Sequence, residues 1–360
     1  MRRFGLVVSL ACLVGSVACD STQKRAGGAD AVAGGDAASD AAADVPVDAA
    51  AGDAADTSEP EADAAGLPDS VSVASNGTKL VVELEPFDMT LSGPNGDERT
   101  ALHRGDDRAF DGISVARATG WQENEFYDPT LRENDGHGEG LEWYSVQGVD
   151  ALVEQTDERV ELRLATLGSG GESGPTVEFV ARAAPSSVAI DLSVPDRDHF
   201  VHTSLSWKAT SDEGFYGLGE HFDALDMRGT IRAMQTQAEE DSESSINEVH
   251  VPIPFYLSSA GYGLFVEDRH PAAFDLGATR GSAMRATFNS DAPTYHLYAA
   301  DEPMELIERY TDQTGKPAHV PYWALAPQWW RNETDGQSEV LDDAQRGRDA
   351  DIPSTLVWID

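Results

Sequence analysis

Two hydrophobic patterns divide this chain. From Leu67 to about Thr294 short segments alternate apolar and polar residues between Gly, Pro, Asn and Asp punctuation, as in antiparallel sheets with one solvated face. Val160, Leu162 and Leu164 alternate with Glu161 and Arg163, and Val188, Ile190, Leu192 and Val194 repeat the period. Leu80 to Thr90, Thr176 to Arg182, Thr203 to Lys208, Phe255 to Ser258, Gly263 to Glu267 and Thr294 to Tyr298 read the same way. So many short strands without intervening helices predict a mainly β, two-sheet sandwich over residues 67–318. Asp301 to Pro317 predicts a helix behind it. Asp301 is positioned to cap it, Pro303 falls in the first turn, Met304, Ile307 and Tyr310 form an apolar face, and Gly315-Lys316-Pro317 ends it.

From Pro321 the alternation stops. Tyr322 to Trp330 is one apolar, aromatic run and Thr355 to Asp360 another, with a polar turn and a helical stretch between them. Runs without alternation suit strands buried on two faces, and a helix of this length suits a right-handed parallel crossover. Residues 319–360 are therefore expected to form the first β-α-β of a parallel α/β barrel. In such barrels chemistry sits at the carboxyl ends of strands, which puts Gln328 to Asn332 and Asp360 at the mouth.

The amino terminus predicts export. Arg2-Arg3 precedes an apolar stretch, Phe4 to Ala18, too short to span a bilayer. Ser16-Val17-Ala18 suits ordinary signal peptidase, whereas Val17-Ala18-Cys19 resembles a bacterial lipobox with lipidation at Cys19. The lipobox reading is preferred, because Cys19 is the one cysteine left once Cys12 is removed and a polar tether follows at once. Residues 20–66 are Ala, Asp and Gly with scattered Pro and Ser and no aromatic residue, which predicts a disordered, extended stalk. The expected location is the bacterial cell envelope as an anchored lipoprotein, otherwise the periplasm or the medium.

The 360 residues carry 25 Lys plus Arg against 64 Asp plus Glu, a net charge of −39. That field argues against nucleic acid and anionic lipid as partners, leaving the membrane only through the lipid anchor. His221, His250 and His270 have no metal-ligand spacing, there is no phosphate loop or nucleophile elbow, and no cofactor is implied.

Four motifs carry a resemblance. They are the glycine-rich run Phe215 to Gly229; Pro254 to Ser258 with Gly261-Tyr262-Gly263; Tyr310 with Thr314 to Pro317; and the unit Pro321 to Asp360. In this order and spacing, over about residues 198–360, they resemble glycoside hydrolase family 31, the α-glucosidase and α-xylosidase family. The resemblance implies a galactose-mutarotase-like β-sandwich followed by a (β/α)8 barrel that hydrolyses α-glycosides with retention. Retention requires two carboxyl groups about 5 Å apart. In the family both come from later barrel strands, so no catalytic residue is assigned in this chain, which is expected to hold only the start of the barrel.

The resemblance carries over some positions. Asp360 matches an acidic residue that binds sugar hydroxyls. Trp358 shares its strand face, as pocket wall or as core. Gln328, Trp329, Trp330 and Arg331 end the first strand, with one tryptophan expected to line the pocket and the other to pack. Arg331 would bind an anionic substituent, as in the sulfoquinovosidase branch, or neutralise Asp360. His221 stands where the family more often has Arg. A rival of another class is a non-catalytic surface carbohydrate-binding lipoprotein.

Overall fold

In the computed structural model the described residues are 66–118, 141–195, 200–221, 223–234 and 251–359, with the side chains of Ala118, Phe200 and Val201 excepted. The leader with Cys19, the stalk expected over 20–66 apart from Gly66, His250, most of the stretch 231–250, whose richness in Glu and Ser predicts a polar loop, and Asp360 lie outside them.

Two antiparallel sheets account for most of the fold. The smaller follows chain order: β1 (Ser70–Ser75), β2 (Thr78–Leu84), β3 (Phe87–Ser92) and β4 (Glu98–Ala101). The larger has 13 strands among the described residues. Its middle is built from β5 (Ile113–Ala118), β6 (Leu141–Gln155), β7 (Arg159–Leu167), β8 (Val177–Ala183) and β9 (Val188–Ser193). To these are added β10 (Phe200–Lys208), β11 (Phe215–Gly219), β12 (Ile231–Met234), β13 (Pro252–Ser258), β14 (Tyr262–Glu267), β15 (Ala272–Leu276), β16 (Ala283–Phe288) and β17 (Thr294–Ala299). The spatial order is β11-β13-β14-β17-β9-β8-β7-β6-β5-β10-β16-β15-β12. The last strand, β12, comes back beside β13, so the sheet is nearly closed.

The alternation read from the sequence is what builds the core. Val71, Leu80, Val82, Met89 and Leu91 of the small sheet share one buried cluster with Val115, Leu162, Phe179, Ile190, Leu205 and Trp207 of the large one. Each such side chain contributes about 1.5–3 kcal/mol by leaving water. The segment Leu80 to Thr90 is two strands rather than one. The chain turns at Glu85-Pro86, and β2 and β3 pair from Leu84↔Phe87 to Lys79↔Ser92. Across its middle the other face of the large sheet is polar yet buried: Ser114, Ser145, His202, Ser204, Ser206 and Thr287 are all covered.

Gly217 (φ +125°) and Gly219 (φ +98°) form a bulge in edge strand β11, where the register against β13 slips. A Cβ at Gly219 would lie 2.0 Å from the carbonyl oxygen of Val251, so the backbones approach as only glycine permits. Ile231 to Met234, expected as loop, is strand β12 paired with β15. Its Arg232 is fully buried and ion-paired with Asp223 at 2.7 Å. His221 is half-buried, and burial, then the Arg232 charge, pushes its pKa below the ordinary imidazole value.

Helix α1 (Pro303–Thr314) follows β17. Its buried residue is Leu306, with Tyr310 stacked on Phe255 at 4.1 Å, while Met304 is exposed. The apolar face is thus turned from the one expected, because Leu306 and Tyr310, four apart, meet the sheet together. Asp301 does not cap the helix. It accepts hydrogen bonds from Arg99 and from Asn95 (3.1 Å) of the small sheet's side. Arg309 donates to Ala299 O (2.6 Å) and to Thr78 Oγ1 (3.4 Å), tying α1 to both sheets.

Candidate functional site

The expected strand Tyr322 to Trp330 is only partly extended. Pro321 starts a short 3-10 turn over Tyr322–Leu325, and β18 is confined to Gln328–Arg331. The two prolines explain the break. Pro321, extended at φ −64° and ψ 146°, stands just before the turn, and its carbonyl accepts from Ala324 N at 2.9 Å. Pro327 cannot donate to a ladder, so pairing begins after it. Its carbonyl accepts from Thr355 N at 3.1 Å, and this bond sets the register between β18 and its partner strand.

That partner is β19 (Leu356–Ile359), which pairs parallel to β18, with Trp329 opposite Val357, Trp330 opposite Trp358 and Arg331 opposite Ile359. Between them lies helix α2 (Gln337–Asp349). Glu339 in its first turn accepts from Asp335 N at 2.8 Å and pairs with Arg331; the backbone bond, then the Arg331 charge, holds its carboxyl below the usual range. Asp343, one turn further on, takes the other side of the Arg331 guanidinium. Residues four apart on a helix share a face, so the Glu339 and Asp343 spacing was the signal for this clamp.

Alternation sends successive side chains to opposite faces. Trp329 packs on Gly347 of α2 and borders a cleft of about 170 Å3 with Ala344, Arg348, Thr355 and Val357. Trp330 is on the other face, 58% exposed, stacked on Trp358, 47% exposed, with ring centroids 5.8 Å apart and planes 26° from parallel. Gln328 donates its side-chain amide to Ala324 O at 2.8 Å. The geometry therefore brings Trp330 and Trp358 together at the carboxyl ends of two parallel strands. Trp329 and Arg331 are engaged by α2. An exposed indole pair presents flat, polarisable faces of the kind sugar rings stack on.

Sequence reasoning did not find a second cluster, on the polar face of the large sheet. There Trp143 stacks on His202 (6.4 Å, 15°) and Arg285 lies over Phe110 (3.9 Å). These residues come from β6, β10, β16 and the turn before β5, and only the sheet order assembles them. Among the described residues no group of three or more His, Cys, Asp or Glu side chains is placed to hold a metal ion, and no helix is long and apolar enough to cross a membrane.

The profile of the Glycosyl hydrolase 31 N-terminal galactose mutarotase-like domain matches residues 36–275. Among curated proteins, an isomaltosyltransferase of Sporosarcina globispora is 24% identical over 225 residues, 61% of this chain and 18% of its own length. An α-xylosidase of Emericella nidulans is 34% identical over 112 residues, 31% of this chain and 14% of its own. The matched stretches thus span less than a fifth of these relatives. Among solved structures, a family 31 sulfoquinovosidase from E. rectale aligns over 77% of this chain and 40% of its own at 16% identity, with a TM-score of 0.53, a likeness of fold. These relatives are a transferase and glycosidases, and nothing in them favours a non-catalytic carbohydrate-binding lipoprotein. With two thirds of its length matched by the profile, the chain belongs to glycoside hydrolase family 31, whose amino-terminal mutarotase-like domain it carries.

Proposed function

We propose that this chain is the amino-terminal part of an exported retaining α-glycosidase, with residues 67–318 as the sandwich and 319–360 as the opening of a (β/α)8 barrel. The observation that carries this reading is the parallel β18-α2-β19 unit with Trp330 and Trp358 side by side at its strand ends, the end at which barrels place their chemistry. The two-stranded unit exposes Tyr322, Trp323, Trp330 and Ile359. A lone parallel pair is not stable by itself, so further strands beside it would give that surface a partner.

In this reading Trp330 and Trp358 form one wall of the sugar subsite, and Asp360 accepts two sugar hydroxyls from the strand's end. Gln328 edges the wall. Arg331 is neutralised by Glu339 and Asp343, which favours a neutral sugar over one with an anionic substituent. Trp329 holds the helix to the strands. The α-glucoside or α-xyloside class follows from the family, and Cys19 is the proposed lipid attachment point, with residues 20–66 as the tether to the envelope.

The catalytic carboxylate pair belongs to later strands, so residues 1–360 alone bind sugar without cleaving it. Incubation of the purified 360-residue chain with 4-nitrophenyl α-glucoside and α-xyloside tests this. No release of nitrophenol is expected. Turnover that survives removal of contaminating glycosidases would put the pair within these residues and overturn the assignment.

A further inference from the structure

Well apart in sequence from residues 319–360, the turn between β2 and β3, the segment after β4, and β6 enclose a cleft of about 670 Å3. It is lined by Pro86, Asp88, Arg104, Asp106, Arg108 and Gln147, among others. Small-molecule sites typically measure about 300–1,000 Å3. The buried carboxylate of Asp111 organises the wall. It accepts from Gln147 Nε2 at 2.6 Å, Ser145 Oγ at 2.8 Å, Arg108 Nη1 at 3.1 Å and Arg104 Nη1 at 3.3 Å. Arg104 also donates to the carbonyls of Val146 (3.0 Å) and Phe87. Side chains held this way are fixed before any ligand arrives, which lowers the entropic cost of binding.

Hydrogen-bonding capacity remains after these bonds are made. Among the described residues Arg108 makes its side-chain hydrogen bonds through Nη1, to Asp111 and Ser145, and none through Nη2. Among the described residues the carboxylate of Asp106 accepts no hydrogen bond, the side-chain oxygen of Gln147 accepts none, and Asp88 uses one oxygen on Met89 N (2.8 Å). Donor and acceptors therefore stand together in one cleft. A hydroxyl group both donates and accepts, so such a wall matches a polyol. Two arginines against Asp88, Asp106 and Asp111 leave no net positive charge, which disfavours phosphate or sulfate.

The geometry points to a second carbohydrate-binding site here, on the sandwich, that takes a neutral oligosaccharide. The choice of sugar among polyols rests on the proposed glycosidase function.

Calorimetric titration of maltotriose and isomaltotriose into the 360-residue chain tests it. The same titration is run on Asp106→Ala, Arg108→Lys and the double variant Trp330→Ala/Trp358→Ala, with melting temperatures for each and sodium sulfate as an anion probe. Expected are millimolar binding of at least one trisaccharide, kept by the tryptophan double variant, and at least a fivefold loss in Asp106→Ala at unchanged melting temperature. Arg108→Lys keeps the charge, loses the forked guanidinium with its unused Nη2 donor, and should show a similar loss. The proposal is overturned if neither sugar binds, if both cleft variants bind as the parent does, or if sulfate displaces the sugar. It is also overturned if binding vanishes with the tryptophans alone, an outcome that would leave the glycosidase reading standing. Binding that is lost only with the cleft variants supports the cleft and leaves the barrel-face reading to its own test.

Discussion

Gly347 leaves the space that the indole of Trp329 fills. A Cβ built on that glycine would lie 1.6 Å from Cη2 of the ring and within 2.7 Å of two more ring atoms. The contact seats α2 on β18, and it decides which of two adjacent tryptophans packs and which faces outward. In an ordinary helix interior Gly→Ala stabilises by about 1 kcal/mol. Here the rigid ring has to leave its seat, so Gly347→Ala is expected to loosen the unit. Amide hydrogen exchange across Gln337–Asp349 should quicken in the variant, and slower or unchanged exchange would refute the packing described.

Trp330→Ala is the counterpart. The ring is exposed and stacks on Trp358, so global stability should stay within about 0.5 kcal/mol of the parent. If the indole pair is a sugar platform, the enzyme made from the complete reading frame should lose at least tenfold in kcat/KM with this substitution. A denaturant midpoint shifted as far as a core Trp→Ala shifts one, or activity left intact, would count against an exposed sugar-facing role.

The bulge at Gly219 makes a second stability test. At φ +98°, with the Val251 carbonyl oxygen 2.0 Å from a built Cβ, Gly219→Ala meets both backbone strain and a clash with main chain. A loss of about 2–4 kcal/mol is expected. Gly96 has φ +80° but nothing within 4 Å of its Cβ position, so Gly96→Ala should cost only about 1–2 kcal/mol. Urea denaturation of both variants checks the order, and equal losses would show that the close approach at Gly219 is not there.

His202 gives the fold a pH dependence of definite sign. Burial pushes its pKa from 6.5 to about 4, with the hydrogen bond to Asn289 opposing and the Arg285 charge adding to the depression. The unfolded chain takes up this proton near pH 6.5 and the folded chain only near pH 4. The contribution is therefore complete above pH 6.5, falls as the pH drops from 6.5 towards 4, and amounts to about 3 kcal/mol at most. His202→Gln should flatten stability over that interval when melting is followed from pH 7 to 4.5. An identical pH profile in the variant would remove His202 from the account.

The parts of this fold that sequence could show were those governed by nearest neighbours. Val160, Leu162 and Leu164 face one core because strand geometry has a period of two, and Thr355 to Ile359 had no alternation because a parallel strand beside a helix has no polar face to mark. Where the reading failed, a single residue had shifted a local balance. Pro86 turned one apparent strand into a hairpin, Pro321 and Pro327 shortened another, and the Leu306–Tyr310 pair turned α1 from its expected face. The Arg331 clamp was half visible, since Glu339 and Asp343 are spaced for one helix face, yet nothing local said which cation they meet. The Trp143–His202 stack and the Asp111 cleft were invisible, because strands 30 to 60 residues apart in the chain become neighbours only through the order of a 13-stranded sheet.

The central claim, that residues 319–360 begin a barrel built to hold a sugar, is tested most directly by reading the coding sequence beyond the codon for Asp360. The account predicts an open frame supplying further alternating strands and helices, among them a strand ending in an acidic residue suited to attack on an anomeric carbon. A stop codon at that point, or a continuation without the strand-helix alternation, would contradict it.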